Sequence, residues 1–336
     1  MIPAILGLGG ETLGANERAL FREAEPAGYI VFARNCIDRE QLRALTDELR
    51  TLEGRDHLPI LMDQEGGRVA RMKPPAWPEF PCGERFDALY RKAPMTAIEA
   101  TRANAHALAA TMREAGVNVN CLPLLDVRQP GADPIIGDRA LGAEPMQVAA
   151  LGRAVLEGLQ AGGVVGVVKH MPGHGRATVD SHKVLPVVTA SEEELETDLA
   201  PFRALRSAPM GMVAHVVYTA WDAERPSSQS EEVIAKIIRN GIGFDGFLIT
   251  DDLGMQALSG GFDERTRLTL AAGCDVAAHC SGKMDEMIAV ASAAGPLTAE
   301  ARVRLERAMA TIADAPEGPA YAELADKRDR LLASAA

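Results

Sequence analysis

The stretch VVGVVKHMPGHG, residues 164–175, is a short apolar run rich in β-branched residues that ends abruptly in polar and glycine-rich sequence. A run of this length and composition is typical of a buried β-strand. Lys169 and His170 stand where the strand ends, and Pro172 and Gly173 prevent the segment from continuing as a helix. If such strands are each followed by a loop and then by a helix, the chain alternates strands with helices in one repeated unit.

The unit recurs along the whole chain. Between the apolar runs, hydrophobic residues follow helical spacing, as at Leu42, Leu45 and Leu49. Ser191 and Glu194 form a capping box at the start of one predicted helix. Eight strands alternating with helices predict an α/β protein with a closed (β/α)8 barrel of the TIM type, and a doubly wound open sheet is the alternative. The eight runs are Ile2–Leu8, Tyr29–Ala33, Pro59–Asp63, Val117–Val127, Val164–His170, Met210–Val217, Phe247–Asp251 and Cys274–Cys280.

The length and composition favour a single catalytic domain over residues 1–336. No linker, low-complexity stretch or charge block divides the chain, and 336 residues suit one barrel. The polar tail, residues 315–336, is expected to form a helical cap on the barrel.

Charge and cysteine usage narrow the cellular setting. The net charge is −12 and no basic stripe is present, which argues against nucleic acid or an anionic membrane as a partner. The five cysteines form an odd set without a C-x-x-C pair, so we expect buried thiols in a reducing compartment. Neither a signal peptide nor an apolar run of the ~18–20 residues that span a membrane is recognisable. The sequence therefore predicts a cytoplasmic protein.

Polar residues at the predicted strand ends mark the candidate site. In a (β/α)8 barrel, catalytic groups project from the carboxyl ends of the strands and from the loops that follow. Titratable side chains stand at nearly every such position, which a purely structural barrel would not require. They are Asp63, Asp126, Lys169, His170, His215, Asp251, Asp252 and His279.

The loop after the fifth strand carries a candidate general acid/base. Asp180 lies two residues before His182, so a bend in the loop lets the carboxylate bond one imidazole nitrogen. Two other interpretations stay open for this loop. Its polar residues could serve only as loop residues, or His170, His174, Asp180 and His182 could bind a metal, although Pro172–Gly173 breaks the helical geometry of many zinc sites.

A candidate nucleophile ends the seventh strand. Asp251 follows the apolar run 247–250, which places its carboxylate at the barrel mouth, where it could attack an anomeric carbon. The alternative for Asp251–Asp252 is a helix N-cap, which suits Asp252 better. A further set of charged residues suits a sugar pocket, because paired carboxylates and cations bind hydroxyls, although each residue alone could form a structural ion pair. This set is Asp63, Arg71, Arg139, Lys169 and His170.

Several motifs together resemble bacterial β-N-acetylglucosaminidases of glycoside hydrolase family 3, and the resemblance covers roughly residues 1 to 290. The combination of KHMPGHG with DSH downstream is the most specific of them. The motifs are DQEGGRV (63–69) with Arg71, IGDR (136–139), KHMPGHG (169–175), DSH (180–182), MVAHV (212–216) and TDDLGM (250–255).

The resemblance implies a retaining exo-acting enzyme with Asp251 as nucleophile, His182 as acid/base and Asp180 as its partner. It implies that the sugar-pocket set binds N-acetylglucosamine, that no cofactor or metal is needed, and that the substrate is a small muropeptide or other N-acetylglucosaminide processed during peptidoglycan recycling.

Three other functions remain open at the level of sequence. A β-N-acetylglucosaminide phosphorylase would use the same scaffold, since a histidine acid/base repels phosphate less than a carboxylate does. A metal-dependent TIM-barrel hydrolase would use the histidines as ligands. A non-catalytic sugar-binding barrel would lack turnover altogether. The oligomeric state and the preference for the leaving group are not encoded in any recognisable pattern.

Overall fold

A computed structural model of the protein describes residues 1–313 and 318–334. Its centre is a closed barrel of eight parallel strands, in the order β1-β2-β3-β4-β5-β7-β9-β10, which confirms the predicted (β/α)8 barrel and rules out the open sheet. The barrel strands are β1 (Ile2–Gly7), β2 (Pro26–Val31), β3 (Ile60–Met62), β4 (Val119–Asn120), β5 (Val165–Met171), β7 (Met210–Val213), β9 (Phe247–Asp252) and β10 (Val276–His279). Two short strands, β6 (Val187–Val188) and β8 (Val217–Tyr218), pair in parallel outside the barrel.

Two predicted strands differ most from the observed ones, because each was predicted much too long. The run Val117–Val127 contains only the two-residue strand β4, because the Asn120 side chain bonds both backbone groups of Gln64 and Pro123 has no N–H to donate. The run Met210–Val217 splits into β7 and β8, since Val217 leaves the barrel and pairs with Val187 in the small sheet.

The helices cover the outside of the barrel. Pro145 starts α5, and the Ser191 hydroxyl caps α6 with Glu194 returning the bond, as the capping box predicted. Among the described residues, no helix combines the length and the apolar character that crossing a membrane requires. The helices are α1 (Ala15–Ala24), α2 (Arg39–Glu53), α3 (Gly83–Tyr90), α4 (Pro94–Glu114), α5 (Pro145–Ala161), α6 (Glu192–Ala204), α7 (Phe262–Ala271), α8 (Met284–Ala294), α9 (Ala299–Ala310) and α10 (Tyr321–Ala333), with a π-helical segment at Val233–Ile242.

The strands of the barrel are buried on both faces. Every residue of β5 is buried, as expected for a parallel strand with helices on one face and the barrel interior on the other. The interior is filled by side chains such as Ile5, Leu61 and Phe247, so the barrel is a packed core rather than a pore. The cysteines are free, and three are buried, whereas Cys36 and Cys82 are half-buried.

The C-terminal helix lies against α4. Arg328 of α10 is buried, donates to the Asn104 side chain at 3.2 Å and lies 5.7 Å from the centre of the Phe80 ring. Of the predicted cap, residues 315–317 and 335–336 lie outside the described residues.

Candidate active site

A cavity of about 240 Å³ opens at the carboxyl ends of the barrel strands. Seven of the eight residues predicted for the site line it, and the eighth, Asp180, lies next to His182. The parallel strands thus bring to one place side chains that are almost 190 positions apart in sequence (251 − 63 = 188). The seven are Asp63, Arg71, Arg139, Lys169, His170, His182 and Asp251.

Asp251 stands near the end of β9 with its carboxylate at the cavity wall. The residue is 9% exposed, and its Oδ1 accepts the backbone N–H of Asp252 at 2.9 Å. Burial alone would raise the pKa of Asp251, but the nearby imidazole of His170 and the hydrogen bond from the Asp252 amide help to outweigh burial, and the pKa lies below its usual value. The carboxylate is therefore ionised at neutral pH, which is the form in which a carboxylate can act as a nucleophile.

Asp252 fixes the backbone beside Asp251. Its Oδ1 accepts the N–H groups of Gly254 at 2.9 Å and Cys280 at 3.0 Å, so it ties the loop after β9 to β10. The next helix begins only at Phe262, so the helix N-cap interpretation of Asp252 is wrong and the side chain caps a turn instead.

His215 supports the same stretch of backbone from the other side. It is fully buried, its Nε2 lies 3.0 Å from the carbonyl oxygen of Asp252, and its Nδ1 lies 2.6 Å from the hydroxyl of Ser228. Burial lowers the pKa of His215, which favours the neutral ring. A neutral ring satisfies both contacts when Nε2–H donates to the carbonyl and Ser228 donates to Nδ1.

Asp180 and His182 form the predicted pair. The Asp180 Oδ1 accepts both the backbone N–H of His182 at 2.9 Å and the ring Nδ1–H at 2.8 Å. The two bonds to His182 outweigh partial burial and lower the pKa of Asp180. The Nε2 atom is left without this partner, and the ring borders the cavity with its side chain 57% exposed. The backbone N–H of Ala257, in the loop after Asp251, donates to the Ser181 carbonyl at 3.2 Å and links the two loops.

A buried ion-pair network forms one wall of the cavity. The Lys169 Nζ lies 2.9 Å from Asp63 Oδ1 and 2.7 Å from Glu65 Oε1. Arg71 pairs with Asp63 at 3.0 Å, and Arg139 holds both Glu65 oxygens at 2.8 and 2.9 Å. Burial would raise the pKa of Glu65, but Arg139 and Lys169 lower it to about 2. The network therefore keeps its charges at neutral pH.

Glu65 was missed as a site residue at the level of sequence. It belongs to the DQEGGRV motif but does not end a strand, and the chain turns sharply at Gly66, whose φ is +107° and where a Cβ would lie 2.3 Å from the carbonyl oxygen of Pro81. Glu65 lies where this turn begins and lines the cavity, where it links Lys169 and Arg139.

Asp126 was noted as a strand-end residue but not assigned to the site. Its Oδ2 lies 2.7 Å from the Nδ1 of His170, and its Oδ1 accepts the backbone N–H groups of His170 at 3.2 Å and His174 at 2.7 Å. Burial would raise the pKa of Asp126, but its histidine contacts lower it to about 2. The carboxylate orients His170 so that its other nitrogen is available on the cavity side.

The predicted metal alternative finds no supporting geometry. His174 is buried and packs edge-to-face against His170, while His182 is exposed and bonded to Asp180. Within residues 1–313 and 318–334, no three histidine, cysteine or carboxylate side chains are grouped as metal ligands.

Comparisons with known proteins show which family the chain resembles over most of its length. Residues 11–313 match the model of the glycosyl hydrolase family 3 N terminal domain. A β-hexosaminidase of Thiobacillus denitrificans is 37% identical over 330 residues, which cover 96% of this chain and 90% of that protein. One of Alkalilimnicola ehrlichii is 37% identical over 83% of this chain and 80% of its own length. The crystal structure of NagZ from Neisseria gonorrhoeae in complex with N-trifluoroacetyl-D-glucosamine superposes with a TM-score of 0.86 at 30% identity, covering 99% and 98% of the two chains.

Proposed function

The chain belongs to glycoside hydrolase family 3, and from that membership we propose that it is a retaining exo-β-N-acetylglucosaminidase that acts in the cytoplasm. In this proposal the enzyme releases the terminal non-reducing N-acetylglucosamine of muropeptides during peptidoglycan recycling and needs no cofactor. The relatives named β-hexosaminidase and the solved NagZ support the sugar specificity. The muropeptide substrate is what the resemblance of the sequence motifs to bacterial members of the family implies.

One observation carries the proposal. A single cavity is bordered both by the ionised carboxylate of Asp251 and by the imidazole of His182, whose Nδ1 is held by Asp180. A carboxylate and a separate proton donor in one pocket are the two groups that double displacement at a sugar carbon requires.

In the first step, an Asp251 oxygen attacks the anomeric carbon while the bond to the leaving oxygen breaks. The imidazolium of His182 gives its Nε2 proton to that oxygen, so the aglycone leaves as a neutral alcohol and the ring becomes neutral. The sugar is then joined to Asp251 through an ester bond with inverted configuration.

In the second step, the neutral His182 accepts a proton from water as the water oxygen attacks the anomeric carbon. The bond to Asp251 breaks, the carboxylate is restored, and the second inversion gives net retention. Asp180 stays ionised throughout and holds the ring in the tautomer that presents Nε2.

The ion-pair wall suits a sugar ring. Sugar hydroxyls bind well to carboxylates and to cations that already lie at fixed positions. The cavity is smaller than the ~300–1,000 Å³ of pockets for drug-sized ligands, which favours one terminal sugar over a long chain. The proposed binding residues are Asp63, Arg71, Arg139, Lys169 and His170, with Glu65 holding Lys169 and Arg139 in place.

The test is turnover of a β-linked N-acetylglucosaminide followed by proton NMR from the first seconds. We expect the β-anomer of N-acetylglucosamine to appear first and the α-anomer to follow by mutarotation. A disaccharide of N-acetylglucosamine and 1,6-anhydro-N-acetylmuramic acid should be cleaved by the same enzyme. If the α-anomer appears first, the retaining mechanism is wrong. If the enzyme cleaves neither of the two substrates, the proposed function is wrong.

Transfer to phosphate is a second candidate, favoured by the nature of the acid/base. An exposed imidazole lets phosphate approach the glycosyl intermediate, whereas a second carboxylate would repel it. Repeating the assay in phosphate buffer distinguishes the two acceptors, because a phosphorylase forms N-acetylglucosamine 1-phosphate and a hydrolase forms the free sugar.

A further inference from the structure

The segment 173–186, between β5 and β6, carries both Asp180 and His182. Residues 180–184 form a turn, in which the N–H groups of Lys183 and Val184 donate to the Asp180 carbonyl. The position of His182 over the cavity therefore depends on where the rest of the barrel holds this segment. Three regions of the segment make such contacts: a root at residues 173–177, a tip at Ser181, and the end at Pro186, whose carbonyl accepts the Val217 N–H at 2.9 Å.

The root is attached to α6 by a buried ion pair. The Arg176 Nε lies 2.6 Å from Asp198 Oδ2, and its Nη2 donates to the Glu194 carbonyl at 2.8 Å. The Asp198 side chain is 1% exposed and Arg176 is 20% exposed. Arg176 thus binds the helix through two separate groups, which fixes its direction as well as its distance.

Asp198 has little else to bond. Among the residues that the structure describes, no hydrogen bond reaches its Oδ1. Burial outweighs the attraction of Arg176 and raises the pKa of Asp198 to about 6. Arg176 is therefore the group that compensates this buried carboxylate, and its removal would leave the charge of Asp198 unpaired.

The root also packs directly on the same helix. The Tyr218 hydroxyl, in β8, donates to the Gly173 carbonyl. On the side of α6, a Cβ placed on Gly173, where φ is +138°, would lie 2.9 Å from the Cβ of Asp198. The absence of a side chain at position 173 allows the loop to start against α6. The tip, in contrast, makes one backbone hydrogen bond to another element of the described chain, the Ala257–Ser181 bond at 3.2 Å.

We propose that Arg176 is a positioning residue for the reaction, which through its pairing with Asp198 holds the Asp180–His182 pair where its proton reaches the leaving oxygen. The inference rests on the proposed function. It assigns to Arg176 no contact with the sugar, because Arg176 does not border the cavity. Its loss should therefore affect proton transfer and leave sugar binding unchanged.

The test compares Arg176→Ala with the wild type on two substrates. One is an aryl N-acetylglucosaminide with an acidic phenol that leaves without protonation, and the other has an alkyl leaving group that needs it. We expect kcat on the alkyl glycoside to fall by roughly 10- to 100-fold, the cost of a misplacement of about 1 Å. On the aryl glycoside, the rate constant of the glycosylation step should change less than about threefold. The inhibition constant of free N-acetylglucosamine should also change less than about threefold.

Arg203→Ala is the matched control. Arg203 lies on the same helix, but it pairs with Glu196 at the surface and donates to the Gly241 carbonyl at 3.0 Å instead of to the loop. We expect this variant to behave as the wild type on both substrates. Arg176→Lys keeps the charge but loses one of the two contacts, so it should restore activity on the alkyl glycoside only in part.

A double-mutant cycle tests the route through Asp198. Asp198→Ala should show the same selective loss, and the double variant should be no worse than either single variant. Equal losses on both substrates, or additive losses in the double variant, would overturn the proposal. A wild type that cleaves neither substrate would instead overturn the proposed function, and a His182→Ala variant without leaving-group selectivity would overturn the acid/base role.

Discussion

The Asp180 Oδ1 atom accepts two hydrogen bonds from His182, one from the backbone N–H at 2.9 Å and one from the ring Nδ1 at 2.8 Å. An ionised carboxylate can only accept, so the proton at this contact belongs to Nδ1. The chelated geometry fixes the ring relative to its own backbone. The atom that exchanges a proton with the substrate is therefore Nε2.

His182→Ala should distinguish substrates by their leaving groups. Removing the proton donor leaves the nucleophile intact, so an activated aryl glycoside loses little in the glycosylation step. An alkyl glycoside should lose roughly 10²- to 10⁴-fold in kcat/KM. Steady-state rates across a series of leaving-group pKa values check this, since the variant should show a steep dependence where the wild type shows a shallow one. A parallel loss across the series would remove His182 from the role.

Asp180→Ala should weaken the same step through orientation. The ring keeps its Nε2 but loses both bonds that hold it, so we expect kcat on the alkyl glycoside to fall by about 10²-fold with the KM little changed. Thermal unfolding of the variant should match the wild type within a few degrees, because the pair lies on a surface loop. An unchanged kcat would mean that the loop places His182 without its partner.

The acidic limb of activity should lie at unusually low pH. Asp251 acts as the ionised form, and its pKa is held below the ordinary 3.8, so ionisation is lost only as the pH falls through that lowered value. We expect kcat/KM for an aryl glycoside to stay on its plateau down to about pH 4. Brief pH jumps with return to neutrality control for unfolding. A limb near pH 6 that titrates with Asp251 would contradict the predicted environment.

Glu65→Gln should destabilise the fold and change its response to acid. The pKa of Glu65 is about 2 in the folded protein against an ordinary 4.5, so its charge contributes stability above about pH 4.5 that is lost as the pH falls toward 2. The variant leaves Lys169 and Arg139 short of one negative charge in a buried wall. We expect the free energy of unfolding at pH 7 to drop by roughly 2–4 kcal/mol.

Urea unfolding at pH 7 and pH 3 measures both effects. The wild type should lose more stability between these two pH values than Glu65→Gln does. Glu114→Gln is the control, because Glu114 pairs with Arg39 on the exposed surface and should cost less than about 1 kcal/mol. If both variants lose the same free energy of unfolding, the ion pairs of Glu65 contribute no more than exposed surface pairs do.

The barrel could be predicted from sequence because its signal is local. Each strand is a short β-branched run and each is followed by helical spacing, so the order of elements suffices to select the closed parallel sheet. The length of β4 could not be predicted, because it is set by the contact of Asn120 with Gln64, 56 positions away in the chain. The same holds for Val217, whose partner Val187 begins β6, directly after the loop that carries the candidate acid/base.

The candidate site was predictable to the extent that its residues end strands or belong to recognisable motifs. The positions of Asp63, Lys169, His170 and Asp251 at the cavity follow from the barrel alone. The position of Glu65 does not follow from the barrel alone, since Glu65 lies at a glycine turn and not at the end of a strand. The contacts that hold a residue in place, such as Arg176 with Asp198, depend on packing between a loop and a helix and leave no pattern in the sequence.

The central claim is that Asp251 bonds covalently to the sugar. Incubation with a slow 5-fluoro-N-acetylglucosaminide that carries a good leaving group, followed by digestion and mass spectrometry, tests it directly. The account predicts a glycosyl mass added at Asp251 and at no other carboxylate, with no label in an Asp251→Asn variant. A label on another residue would contradict it, and so would full turnover with inversion and no covalent adduct.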